Sequence, residues 1–143
     1  AAARAAATTG LAVVACATTR EDGALLSGEP LEEAARALLA LPSPPAALGV
    51  NCVPARRLAA SLVCLAAAAP GVPLAAYANT GLPIDEAAGA FAEPISPEEY
   101  ATVAERWLSL GARLVGGCCG TGAGHVEALA SRPGAPTGAP YGK

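Results

Sequence analysis

Two adjacent cysteines lie in a bed of glycines, Val115-Gly116-Gly117-Cys118-Cys119-Gly120, after an apolar strand-like run and before a helix-like one. Neighbouring side chains of a strand point to opposite faces, so these two thiols reach a common point only if the backbone leaves the extended form. The flanking glycines permit that departure. A third cysteine, Cys52, follows Asn51 at the end of another strand-like run. Three thiolates from two strand ends would hold Zn2+ with one coordination position open, the catalytic rather than the structural pattern, and zinc suits soft sulfur donors. With Zn–S bonds of ~2.3 Å, the sulfurs must lie about 4 Å apart. The chemistry implied is activation of a substrate thiol, kept deprotonated at neutral pH, for attack on an electrophilic carbon. The bland alternative is that Cys52, Cys118 and Cys119 are small buried residues, a common place for free cysteine.

Other residues compete for a role in the same region. Asn51, Tyr77 and Asn79 end strands on the presumed active face and are the candidates for substrate contact, with loop bracing as the alternative for Tyr77 and Asn79. His125, the single histidine, reads as a capping or surface residue rather than a fourth ligand, because a closed site would remove the open position. The glycines from Gly116 to Gly124 could instead cradle a phosphate at a helix N-terminus. Against that, no Walker lysine is present and no acidic ribose-binding strand follows. Cys16, inside a strand, and Cys64, on a helix's apolar face, read as buried, and Trp107 reads as core.

The elements that must position these groups follow a repeating pattern. A strand over 11–17 leads through a polar loop, with a turn at Asp22-Gly23, into a helix over 30–40 that opens on Pro30 and carries two Glu in its first turn. A short strand over 46–50 is followed by a helix opening at Pro54, with Leu58, Leu62 and Leu65 facing inward. A third strand over 72–76 runs into Tyr77-Ala78-Asn79-Thr80-Gly81, and a loop of about fifteen residues reaches Pro94. Ser96-Pro97-Glu98-Glu99 is a capping box, with Tyr100, Val103, Ala104, Trp107 and Leu108 on one helical face and Gly111 closing the helix. A fourth strand covers 112–115, and Ala123 to Ala130 forms a last helix. Residues 1–9 read as the end of a further helix.

Serial strand-helix units imply parallel strands joined by helical crossovers. The fold class expected is therefore α/β: a partial (β/α)8 TIM-type barrel of about four βα units with parallel strands, over residues 1–131, followed by a disordered Pro- and Gly-rich tail over 132–143. In such barrels the chemistry sits on loops after the C-terminal ends of strands. Asn51-Cys52, Tyr77 to Gly81 and Cys118-Cys119 all fall there.

Composition narrows the function classes. The chain of 143 residues is 53% hydrophobic and 15% charged with a net charge of −3, which suits a globular domain and offers no basic patch for nucleic acid. No apolar run approaches the ~18 residues of a membrane span. Leu11 to Cys16 imitates a lipoprotein cleavage site only loosely, and a buried strand explains it better. Five cysteines, an odd number, argue against a disulfide framework and for reduced thiols in the cytoplasm. The absence of Met and the opening Ala1-Ala2-Ala3-Arg4 read as a piece of a longer chain.

Gly49-Val50-Asn51-Cys52, then Tyr77-Ala78-Asn79-Thr80-Gly81, then Trp107 with Gly111-Ala112-Arg113-Leu114-Val115-Gly116-Gly117-Cys118-Cys119, in that order and spacing, resemble the C-terminal half of homocysteine S-methyltransferases. The resemblance covers about residues 10–130. It implies a TIM-type barrel in which Cys52, Cys118 and Cys119 hold Zn2+, with homocysteine sulfur as the fourth ligand. It also implies transfer of a methyl group from a small donor to that sulfur, giving methionine, with S-methylmethionine or S-adenosylmethionine as the expected donor and betaine as a third. The family's first four units are not in this sequence. The expected macromolecular partner is accordingly the missing N-terminal half or a second copy, which would cover two open sheet edges. The alternative function is a non-catalytic zinc-binding remnant or interaction module that pairs through those edges. Two departures from the family pattern are Ala78, where Pro is common, and Thr121-Gly122-Ala123, which lacks the Pro before the last helix.

Overall fold

The structure, a computed structural model, describes residues 2–85 and 90–132. After α1 (Ala2–Ala7), four strand-helix units follow in series. They are β1 (Val14–Ala17) with α2 (Leu31–Leu39), β2 (Ala47–Pro54) with α3 (Ala55–Ala68), β3 (Leu74–Asn79) with α4 (Pro97–Ser109), and β6 (Ala112–Gly117) with α5 (Ala123–Ser131). The four strands form one parallel sheet in the order β1-β2-β3-β6, so each unit sits beside its predecessor. The expected α/β class with four βα units is the one observed. The expectation of a disordered tail falls almost wholly on residues 133–143, outside the described residues.

Local signals account for the helices. Ser96 Oγ accepts the Glu99 N–H at 3.2 Å, and Pro97 occupies the first turn of α4. Pro30 and Pro54 are the cap residues of α2 and α3 rather than their first helical residues. Gly71 and Gly111 follow α3 and α4 with φ of 81° and 100°, the left-handed region that ends a helix at little cost to glycine. Arg56, in the first turn of α3, donates to Glu99 Oε1 at 2.7 Å and to the Glu93 carbonyl at 3.2 Å, joining the starts of α3 and α4.

All the helices from α2 onward pack on one face of the sheet. Leu48, Val50, Leu74, Ala76 and Ala112 meet Leu58, Leu62, Leu65, Tyr100 and Trp107 there in one buried cluster. The inward face predicted for α3 and the core place of Trp107 are both observed. Tyr100 and Trp107 meet edge to face, with ring centroids 5.4 Å apart.

Four sequence expectations are corrected. The first strand begins at Val14, and Leu11 is 75% exposed. It is an edge strand, paired only with β2 among the described residues, so its outer side is not enclosed as a central strand would be. Cys16 is exposed rather than buried, because it lies over Gly49 on the sheet face away from the helices, and Cys64 is half-buried rather than fully enclosed. The loop after β3 contains an antiparallel pair, β4 (Leu82–Asp85) and β5 (Ala90–Ala92), whose short, Pro- and Ala-rich sequence carries little periodic signal. Finally, β2 and β3 run past the expected 46–50 and 72–76 to Pro54 and Asn79, so Asn51, Cys52, Tyr77 and Asn79 stand at strand ends, as expected, but within the strands themselves.

Candidate metal centre

A break in strand geometry presents Cys52. Strand alternation places Leu48 and Val50 in the helix-side core, and two residues further on it would bury Cys52 with them. Instead the ladder between β2 and β3 slips between Asn51 and Pro54, and Cys52 takes φ 54°. That left-handed conformation costs a non-glycine residue about 1–3 kcal/mol, and such strain gathers at functional sites. Its effect is visible in the next residue: Val53 takes the core place, and Cys52 is released toward the end of β6.

At the end of β6 the chain turns sharply. Gly116 sits against the Tyr77 ring, where a Cβ would come within 2.9 Å of Cδ1. Gly120 has φ 77°, and any Cβ there would strike Thr80 and Phe91. Between these glycines the double-cysteine loop is pinned to β3 by backbone bonds. The Cys118 N–H donates to the Ala78 carbonyl at 2.8 Å, and the Thr80 N–H donates to the Cys119 carbonyl at 3.2 Å. Thr121 closes the turn, its hydroxyl donating to the Cys118 carbonyl at 2.6 Å.

The three sulfurs converge as the residue pattern predicted. Cys118 Sγ and Cys119 Sγ are 3.8 Å apart, and all three Sγ atoms of Cys52, Cys118 and Cys119 lie within 4.8 Å of one another. Two sulfurs on one tetrahedral zinc stand roughly 3.8 Å apart, as bonds of ~2.3 Å require, so the all-sulfur donor set and the Cys118–Cys119 spacing fit that ion. Cys52 and Cys118 stand here as a disulfide pair, with a Cα separation of 5.7 Å within the range of such bridges, and only their reduced, thiolate form can hold a metal. This differs from the expectation that every thiol is reduced. The reason is spatial: an odd count of cysteines does not reveal that two of them share a strand-end neighbourhood.

Three surrounding residues hold this arrangement. The Tyr100 hydroxyl lies 2.9 Å from both the Ala78 and the Gly116 carbonyl, and burial raises its pKa, so it keeps the proton it donates. His125 caps α5, its Nδ1 accepting the Gly122 N–H at 3.2 Å while Nε2 faces the Ile95 carbonyl at 3.3 Å. It thus fills the capping place predicted for it. Asn79 is 4% exposed, and in the amide orientation its neighbours require, Nδ2 donates to the Val53 carbonyl at 3.2 Å and the Gly81 carbonyl at 2.8 Å. That is the bracing role. Asn51 and Tyr77 are paired in register on the sheet face away from the helices, both half-buried. Sequence reasoning placed Tyr100 on one face of its helix without finding its hydroxyl's task, and it gave Thr80 and Thr121 no part in the site. Nothing local to those residues signals their partners, which come from other strands or from a turn that is itself irregular.

A parallel sheet of βα units carrying three convergent thiols at its C-terminal strand ends defines an α/β domain with a thiolate-rich centre. The chain belongs to the homocysteine S-methyltransferase family, whose model matches residues 1–132. It is 33% identical over 86 residues to the homocysteine S-methyltransferase YbgG of Bacillus subtilis, covering 60% of this chain and 27% of that protein. To the homocysteine S-methyltransferase of Escherichia coli it is 32% identical over 118 residues, covering 80% of this chain and 37% of that protein. Its fold superimposes on the crystal structure of the metallated form of the homocysteine methyltransferase MmuM from Escherichia coli with a TM-score of 0.69 and 28% identity, covering 90% of this chain and 38% of that one. The chain therefore spans well under half the length of these relatives.

Proposed function

We propose that this chain is the thiol-activating part of an enzyme that transfers a methyl group to the sulfur of homocysteine, giving methionine. The observation that carries the reading is the convergence of Cys52, Cys118 and Cys119 at two strand ends in a chain of this family. With Cys52 and Cys118 reduced, these three residues would hold Zn2+ and leave one position for a substrate sulfur. Bound zinc keeps a thiol deprotonated at neutral pH without abolishing its nucleophilicity. The left-handed Cys52 and the pinned Cys118-Cys119 turn supply a fixed trio of donors. Asn51 and Tyr77 would contact substrate, a reading that their adjacency on the open sheet face supports, and Asn79 would brace the strand ends.

Among donors we favour a methylsulfonium, S-methylmethionine or S-adenosylmethionine. In that reaction a C–S bond forms to the homocysteine sulfur and the donor's C–S bond breaks, its electron pair returning to the donor sulfur. The thiol chemistry suits a reducing compartment, and we assign the protein to the cytoplasm. Completion of the barrel requires further strands beside β1 and β6, from an N-terminal half or a second copy. The sheet edges left unpaired among the described residues, and the exposed Val14 and Leu114, also support a second reading, an interaction module without turnover.

Zinc content and homocysteine-dependent methionine formation, measured on the complete protein and on Cys118→Ser, test the proposal. Both are expected to vanish together in the variant. Turnover that survives without Cys118 would falsify the metal assignment, and zinc with no turnover from any sulfonium donor would favour the interaction module.

A further inference from the structure

We infer that Tyr100 is a positioning residue of the thiol centre, because its single hydroxyl bridges β6, whose end presents both Cys118 and Cys119, to β3, against which their turn is pinned. The inference rests on the zinc reading above. The ring is wholly buried, held edge to face by Trp107 on one side and His125 on the other, each with centroids 5.4 Å away. A phenylalanine would fill that space equally well. What it would lack is the hydroxyl 2.9 Å from the Ala78 carbonyl on β3 and 2.9 Å from the Gly116 carbonyl on β6.

Those two carbonyls are the ones that matter to the loop. The Ala78 oxygen is also the acceptor of the Cys118 N–H, so any shift of that peptide moves Cys118 directly. Gly116 lies two residues before Cys118 and, like Gly117 after it, has no side chain with which to anchor itself. A shared buried donor fixes both peptides in one place, and its loss leaves the Gly116 oxygen without that partner. Outer-shell contacts of this kind set ligand geometry without touching the metal.

The test uses Tyr100→Phe in the complete protein, with Leu62→Ala as a control. Leu62 is equally buried, on α3, away from the cysteine loop. Zinc affinity, read by chelator competition, is expected to weaken by about 10-fold or more in Tyr100→Phe. In Leu62→Ala the melting temperature is expected to fall at least as far, with affinity unchanged. Equal affinity in Tyr100→Phe and the unaltered protein overturns the inference, as does equal weakening in both variants, which would make the effect one of stability alone. An unaltered protein that binds no zinc overturns the zinc reading itself and the inference with it.

Discussion

The two faces of the four-stranded sheet are built from different residues and do different work. On the helix side, Leu48, Val50 and Leu74 are buried beneath large side chains from α3 and α4. On the opposite side the same strands offer small or polar groups, Gly49, Asn51, Ala75 and Tyr77, flanked by Val14 and Leu114 at 41% and 38% exposure. Stability is therefore concentrated on one face, while the chemistry stands at the C-terminal rim of the sheet. The thiols belong fully to neither face, because Cys52 leaves the alternation and Cys118-Cys119 lie past the last strand residue.

The largest test of this contrast is Leu62→Ala on the helix side. Truncating a fully buried leucine is expected to lower unfolding free energy by about 2–5 kcal/mol, read by denaturant titration. A loss below about 1 kcal/mol would mean that this core is loosely packed. Next is Gly49→Ala on the opposite face. Its new Cβ would stand 2.6 Å from the Ala75 Cβ and 2.8 Å from Cys16 Sγ, and overpacking of that kind costs about 1–3 kcal/mol. A neutral effect would show that the strands spread easily and that the open face is slack at its centre. The smallest change is expected from Leu114→Ala, the same truncation at a part-exposed position, with an effect of roughly 0.5 kcal/mol. If Leu114→Ala instead matches Leu62→Ala in the complete protein, other strands or a second copy cover this face.

Much of this was legible residue by residue. The capping box at Ser96 to Glu99, the leucines of α3 and the glycines after α3 and α4 each carry a local energetic preference, and each stands where that preference puts it. The clustering of Cys52 with Cys118-Cys119 was also foreseen, since thiols in glycine-rich turns at strand ends have few other uses. The β4-β5 pair was not, because short strands take their identity from pairing rather than from periodicity. Cys16 misled for a related reason: an apolar run looks the same whether both faces of its sheet are covered or only one.

The sequence by itself determined the serial βα architecture and the three thiols at strand ends, because periodicity, caps and residue chemistry act over a few neighbouring positions. Only the tertiary structure decided that Cys52 adopts a left-handed conformation and that Tyr100 links β3 to β6 through one hydroxyl. These depend on strand register and on contacts between residues far apart in the chain, which no local preference specifies.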